Sequence, residues 1–391
     1  MDTPKIRFPG FVKNWEKSNV SELVEIRKSY SYSRNEESEY GMVSHIHYGD
    51  IHSKFNNIID NNSKLPFLKL IEIKDLVLLE KGDIILADAS EDYNGLGTTI
   101  VNLSDRKDII GGLHTFVLRP DKEKLYSLYF LNYSKTLIYK KYMQKIGTGA
   151  SVFGISKANL EKLALLKPSL EEQQKIGDFF MLLDKRIEQQ EEKIALLKDY
   201  KKTMMQKIFS QKIRFKDENG NDYPDWEEKK LGEISNIQTG NMNVEDNIPD
   251  GKYYFFDRSV TIKKLNSFTF DNEAIIYPGE GSEFLPRYFN GKYALHQRSY
   301  SVNSVKDNSI KYIYHFLKTK NNHFLTTAVG STVKSLRKNC FENCIISLPC
   351  LLEQEKIALF LTSIDKNIDE NESILYKFKD QKQALLSKIF V

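Results

Sequence analysis

Residues 168–209, PSLEEQQKIGDFFMLLDKRIEQQEEKIALLKDYKKTMMQKIF, return as residues 349–390, PCLLEQEKIALFLTSIDKNIDENESILYKFKDQKQALLSKIF, displaced by 181 positions without a gap. Glu172-Gln173 answers to Glu353-Gln354, Lys175-Ile176 to Lys356-Ile357, Asp184-Lys185 to Asp365-Lys366, and Lys207-Ile208-Phe209 to Lys388-Ile389-Phe390. An internal repeat of this length decides architecture before any local pattern does. The same offset runs upstream, where Gly149, Val152 and Pro168 match Gly330, Val333 and Pro349. A looser echo opens each half: Lys5-Ile6-Arg7-Phe8 against Lys212-Ile213-Arg214-Phe215, and Trp15-Glu16 against Trp226-Glu227. The chain therefore reads as a duplication, a globule then a helix, twice.

Inside the repeat, Ile176, Phe180, Leu183, Ile187, Gln190, Ile194, Leu197, Lys201, Met204 and Ile208 step alternately by four and three, which is a heptad seam. Ile357, Leu361, Ile364, Ile368, Asn371, Leu375, Phe378, Lys382, Leu385 and Ile389 keep the same register. Each seam thus carries one central amide, Gln190 or Asn371, and one lysine nearer its end. A buried amide fixes coiled-coil register at some cost in stability; a solvated amide is the other reading. The expected class is α+β: two globular mixed α/β domains, residues 1–168 and 211–348, separated by two long helices, 169–210 and 349–391. The helices are expected to form an antiparallel coiled coil with a pseudo-two-fold internal repeat, bringing Gln190 opposite Asn371. The seam would be about 50 Å long at 1.5 Å per residue, which matches roughly 15 base pairs of DNA. Outward charges such as Lys185, Glu188, Glu192 and Lys198 are either a solvated face or a docking surface for a partner.

With 391 residues, 28% charged and 40% hydrophobic, the chain suits a folded protein of two or three domains. No apolar run approaches the roughly 18 residues that a membrane span needs, and a cytoplasmic location is expected. The net charge of +4 announces no global basic field, although acidic helices can mask basic globular surfaces. Cys340, Cys344 and Cys350 read as reduced thiols, and His45, His47 and His52 lack a partner at a familiar ligand spacing, so no metal is expected.

Between residues 30 and 145, and again between 240 and 325, the halves barely resemble each other. Divergent content on a duplicated scaffold is what two modules with different specificities would show. Ser44 to Tyr48 reads as a strand with His45 and His47 on one face, and His114-Thr115 follows a glycine turn. In the second half Arg258-Ser259 and His296-Gln297-Arg298 carry side chains able to reach base edges. The loops 147–151 and 330–335 stand at equivalent places before each helix. Their small residues and Thr148, Ser151, Ser331, Lys334 and Arg337 could meet phosphates, with a plain turn as the simpler reading. These residues, with Tyr48, are the candidate DNA contacts. No Walker lysine motif, dinucleotide fingerprint, amino-methylation motif or HExxH helix is present, and no catalytic residue is proposed.

In its order of parts the chain resembles a specificity subunit of a type I restriction-modification enzyme. The resemblance rests on the openings Pro168 to Lys175 and Pro349 to Lys356, each with a Gly-Ser/Thr loop before it, and covers nearly the full length. It implies two target recognition domains reading the halves of a bipartite DNA site, with the coil setting the unread spacer. It also implies two modification subunits similar to adenine-N6 methyltransferases using S-adenosylmethionine, and two restriction subunits using ATP and magnesium. The chain itself would hold no cofactor and do no chemistry. A two-headed adaptor for proteins or glycans is the alternative.

Overall fold

The computed structural model describes residues 4–55, 57–69 and 75–390. It divides into two compact units, Met1–Glu191 with Ile374–Val391, and Glu192–Ser373, so the division falls inside both long helices. Those helices are Leu170–Phe209 and Leu351–Ile389, each about 60 Å long. Every seam position named above is buried or half-buried.

Within each unit the two helical segments run antiparallel, as the ion pairs show. In the first unit Asp184 binds Lys382, and Glu191 binds Lys379 at 2.5 Å. In the second Asp365 binds Lys201, and Glu372 binds Lys198 at 2.6 Å. These are the same two bonds made by equivalent residues, since each partner differs from its counterpart by the repeat offset. Both aspartates also take a lysine from their own globule: Lys135 at 3.1 Å from Asp184, and Lys318 at 3.9 Å from Asp365. Each seam lysine is therefore neutralised by a carboxylate that it shares with a second ammonium. Lys198, held in this pairing, is exposed like Lys185, Glu188 and Glu192, as read from sequence. Asn371 is buried and its amide donates to the Asn367 carbonyl at 2.7 Å; Gln190, in the first unit, is half-buried.

The repeated helix opening is a clamp. Glu172 is 1% exposed and takes two bonds from Arg7, at 2.9 and 2.6 Å. Glu353, fully buried, takes Arg214 at 2.7 Å and the Trp226 indole N–H at 3.1 Å. Next to them, the Gln173 Oε1 accepts from the Tyr126 N–H at 3.0 Å and its Nε2 donates to the Pro168 carbonyl. Gln354 repeats this with the Ser309 N–H at 2.9 Å and the Pro349 carbonyl. Tyr126 and Ser309 each precede a short buried helix, Ser127–Tyr133 and Ile310–Leu317, so the glutamine satisfies a helix-start amide that would otherwise be orphaned. Gly177 lets the first helix approach Tyr126, because a Cβ there would stand 2.8 Å from the ring.

The first globule packs a five-stranded sheet, in the order Val24–Arg27, Thr115–Pro120, Ile84–Ala87, Thr99–Asn102, Ile58–Ile59, beside a four-stranded one containing Val43–Ile46. Its core gathers Trp15, Tyr129, Phe130 and Phe180 with Leu386 and Phe390 from the end of the second helix. The second globule has one six-stranded sheet, in which the long hairpin Phe270–Tyr277 and Arg287–Leu295 does the work of the extra strands. In both, a short antiparallel pair, Glu16–Asn19 with Ala164–Lys167 or Glu227–Lys230 with Ile345–Leu348, joins the first strand to the residues just before the long helix.

One expectation is corrected. The strand at 44–48 stops at Ile46, and all four residues Val43–Ile46 are buried, where an alternating pattern was read. His47 caps the helix Tyr48–Ser53: its Nδ1 accepts the N–H of Gly49, in the helix's first turn, at 3.2 Å. His45 and His47 therefore do not share an exposed strand face.

Candidate nucleic-acid interface

In each globule a central strand ends, a neighbouring strand begins and the pre-helix loop docks, all at one corner. In the first unit Ile84–Ala87 ends at Asp88, whose N–H donates to the His114 carbonyl at 3.1 Å and whose carbonyl accepts the Ile155 N–H at 2.8 Å. Ala89–Ser90 then pairs with Phe153–Gly154. In the second unit the Gly279 carbonyl accepts the Leu336 N–H at 2.8 Å, and Glu280–Gly281 pairs with Lys334–Ser335. Leu336 answers to Ile155 in the repeat, so Gly279 answers to Asp88. Phe116 pairs with Leu86 as Tyr300 pairs with Tyr277, so Arg298 answers to His114. The approach of the two strands is so close that a Cβ on Gly279 would stand 1.6 Å from the Arg298 carbonyl.

The pre-helix loops are turns of one design. Thr148 bridges to Gly154, and Val329 to Ser335. Gly149 and Gly330 adopt φ +144° and +103°, with a Cβ at either falling 1.9 or 2.4 Å from the carbonyl three residues on. Turn geometry thus accounts for the repeated glycine. Thr148, Ser151, Ser331 and Arg337 are exposed and Lys334 is half-buried.

The first corner is aromatic and imidazole-rich. His114, at φ +55°, places Nδ1 3.3 Å from Asp88 Oδ1 and meets the Tyr48 ring edge-on at 5.5 Å. Tyr48 also contacts His47 at 4.6 Å and His52 at 6.4 Å. Burial lowers the pKa of both His47 and His52 and raises that of Asp88. Neutral imidazoles offer one donor and one acceptor each beside a stacking surface. Two candidates lie behind this surface. His45 is fully buried, with Nε2 3.2 Å from Glu37, and Thr115 is 1% exposed, its hydroxyl donating to the Gly112 carbonyl.

The second corner is charged. Glu280 binds Arg298 at 2.7 Å and Arg258 at 3.5 Å, at the edge of a cavity of about 490 Å³ lined also by His296, Gln297, Ser299 and Asp257. The Gln297 amide donates to Asn243 Oδ1 at 2.9 Å, and His296 Nδ1 accepts the Arg298 N–H at 3.1 Å. Ser259 is turned inward, giving its N–H and hydroxyl to Asp257, which also holds Lys263.

Seven residues chosen from scattered stretches of sequence are thus gathered at two equivalent corners: His47, Tyr48 and His114 in one, Arg258, His296, Gln297 and Arg298 in the other. Sequence reading missed Asp88, Glu280 and Asn243, which orient them. Each is an acid or amide in a polar stretch, and only the strand register brings it to its partner. Among the described residues no group of three or more His, Cys, Asp and Glu could hold a metal, and no helix is long and apolar enough to cross a membrane.

Comparisons agree with the duplicated architecture. The description of the type I restriction modification DNA specificity domain matches residues 12–199 and again 223–377. The chain is 28% identical over 167 residues to the type I restriction enzyme EcoDI specificity subunit of Escherichia coli, covering 42% of this chain and only 37% of that protein. It is 24% identical over 408 residues to the putative type I restriction enzyme MjaX specificity subunit of Methanocaldococcus jannaschii, covering 96% of this chain and 92% of that one. The crystal structure of a type I restriction-modification S subunit from M. genitalium superposes with a TM-score of 0.66 at 16% identity, over 100% of this chain and 99% of the other. A chain from a structural study of type I system assembly gives 0.56 at 16% identity, over 98% and 99%. Matched in both of its halves, the chain belongs to the type I restriction modification DNA specificity domain family.

Proposed function

We propose that this chain is the DNA sequence-recognition subunit of a type I restriction-modification complex. The carrying observation is that one frame, repeated bond for bond at the helices, presents different chemistry at two equivalent corners. Each globule, residues 1–168 and 211–348, reads one half of a bipartite site, and the helices 169–210 and 349–391 fix the unread length between them. Two modification subunits dock on the outward helix faces, where Leu182, Leu196, Leu359 and Tyr376 are exposed. Two restriction subunits complete the complex. S-adenosylmethionine, ATP and magnesium are theirs, methylation of flipped adenines is done in the modification subunits, and the assembly works on DNA in the cytoplasm.

The test is single-molecule sequencing of N6-methyladenine in cells expressing the chain with its neighbouring modification subunit, against cells lacking the chain alone. A methylated bipartite motif that disappears with the chain is the expected result. Unchanged methylation with an active, assembled modification subunit would shift the reading to a two-headed adaptor. Inserting one helical turn into the first long helix should lengthen the unread spacer and leave both half-sites intact.

A further inference from the structure

We infer that Arg298 reads a guanine in the half-site of the second globule and that Glu280 is the positioning residue that aims it; the inference rests on the DNA-recognition reading above. Three features lead to it. Arg298 occupies the point that His114 holds in the first unit, the start of the strand beside the corner, so it stands where the duplication places a specificity residue. Its side chain is two-thirds exposed while one guanidinium nitrogen is fixed at 2.7 Å by the carboxylate of Glu280, a side chain only 15% exposed. A guanidinium anchored at one corner keeps free N–H groups in a planar fork, the geometry that meets guanine O6 and N7 together.

The cavity supports the same assignment. Glu280 carries two arginines and Lys263 matches Asp257, while Glu245 also lines the cavity, so the corner's three acids and three cations balance. Beside Arg298, Ser299 is 1% exposed, lines the same cavity and has a hydroxyl with no hydrogen-bond partner among the described residues. A buried polar atom left unpaired in the free protein costs stability, and a polar group entering the cavity would satisfy it. The first corner, with imidazoles and a tyrosine in place of the fork, cannot read guanine in this way.

The experiment uses the purified complex of this chain with its modification subunit, and duplexes carrying its methylated motif with each half-site guanine replaced in turn by 7-deazaguanine, which lacks the N7 acceptor. The second half-site is the one that persists when the first globule is exchanged. The expected result is a single guanine there whose replacement weakens binding roughly tenfold. In the Arg298→Ala complex, which removes the fork, that replacement should no longer matter, and the methylated motif should relax at that base alone. Glu280→Gln should relax the same base without altering the first half-site. The inference is overturned if the second half-site contains no guanine, if every 7-deaza duplex binds like the parent, or if Arg298→Ala still discriminates, which would assign the N7 contact to another residue. A wild-type complex with no bipartite motif would instead overturn the functional reading beneath it.

Discussion

Where the long helices meet their globules, the two units form the same bonds with equivalent residues: Arg7–Glu172 and Arg214–Glu353, Lys382–Asp184–Lys135 and Lys201–Asp365–Lys318. At the corners, equivalent backbone positions carry Asp88 with His114 in one unit, and Gly279 with Arg298 in the other. The difference shows which contacts the duplicated frame cannot change singly. A buried ion pair loses several kcal/mol when one partner goes, because the other charge is left without compensation, whereas an exposed corner side chain costs little to exchange.

Each unit contains one of the two tryptophans, Trp15 or Trp226, so single-tryptophan variants report the units separately in urea titrations. The largest effect is expected for Glu353→Ala, which takes the buried carboxylate from Arg214 and the acceptor from the Trp226 indole and should cost the second unit about 3–5 kcal/mol. Glu172→Ala strands Arg7 alone and should cost about 1 kcal/mol less in the first unit; equal losses would mean that the indole bond contributes nothing. Next, Asp184→Asn and Asp365→Asn should each cost about 2–3 kcal/mol, one in each unit. A loss confined to one of them would break the equivalence of the two lysine pairs. Gly149→Ala and Gly330→Ala should cost about 1–2 kcal/mol each, from forcing a side chain into a positive-φ turn against a carbonyl.

The smallest effect sharpens the comparison through pH. Burial first, and the neighbouring Lys382 second, push the Lys135 ammonium down from 10.5 to about 8. The folded state then releases this proton before the unfolded chain does, so stability rises as pH climbs from about 8 toward 10.5. Relative to Lys135→Met, the first unit should gain about 1 kcal/mol between pH 8 and 9. A flat difference between the two proteins would remove the strain assigned to that lysine.

The helices were legible in the sequence because a coiled coil writes its seam at fixed spacing, and a gapless repeat writes it twice. Lys201 and Lys382 stood out as interruptions in otherwise apolar seams. Their partners did not, since antiparallel pairing joins each lysine to an aspartate in the other copy, and the alignment matches only like with like. The corners were legible as residue types and illegible as places. His114 and Arg298 differ by 184 positions in number, against 181 for the loops beside them, because the strands between have different loops. Ladder register, which no single sequence displays, equates them. The strand at 44–48 failed for a similar reason: burial on both faces of a sheet erases the alternation that would have ended it at Ile46.

The crossed ion pairs also govern how the gene can change. Asp184 depends on Lys382, which lies in the second copy of the repeat, and Asp365 on Lys201, which lies in the first. A charge reversal in either copy must be answered in the other at the position of its partner, so even a compensated reversal leaves the copies unlike at two places. Recombination between such copies would set like charges against each other in both pairs, whereas copies that keep Asp and Lys exchange without loss. The repeat thereby keeps itself alike while the corners between its copies are free to acquire new alphabets.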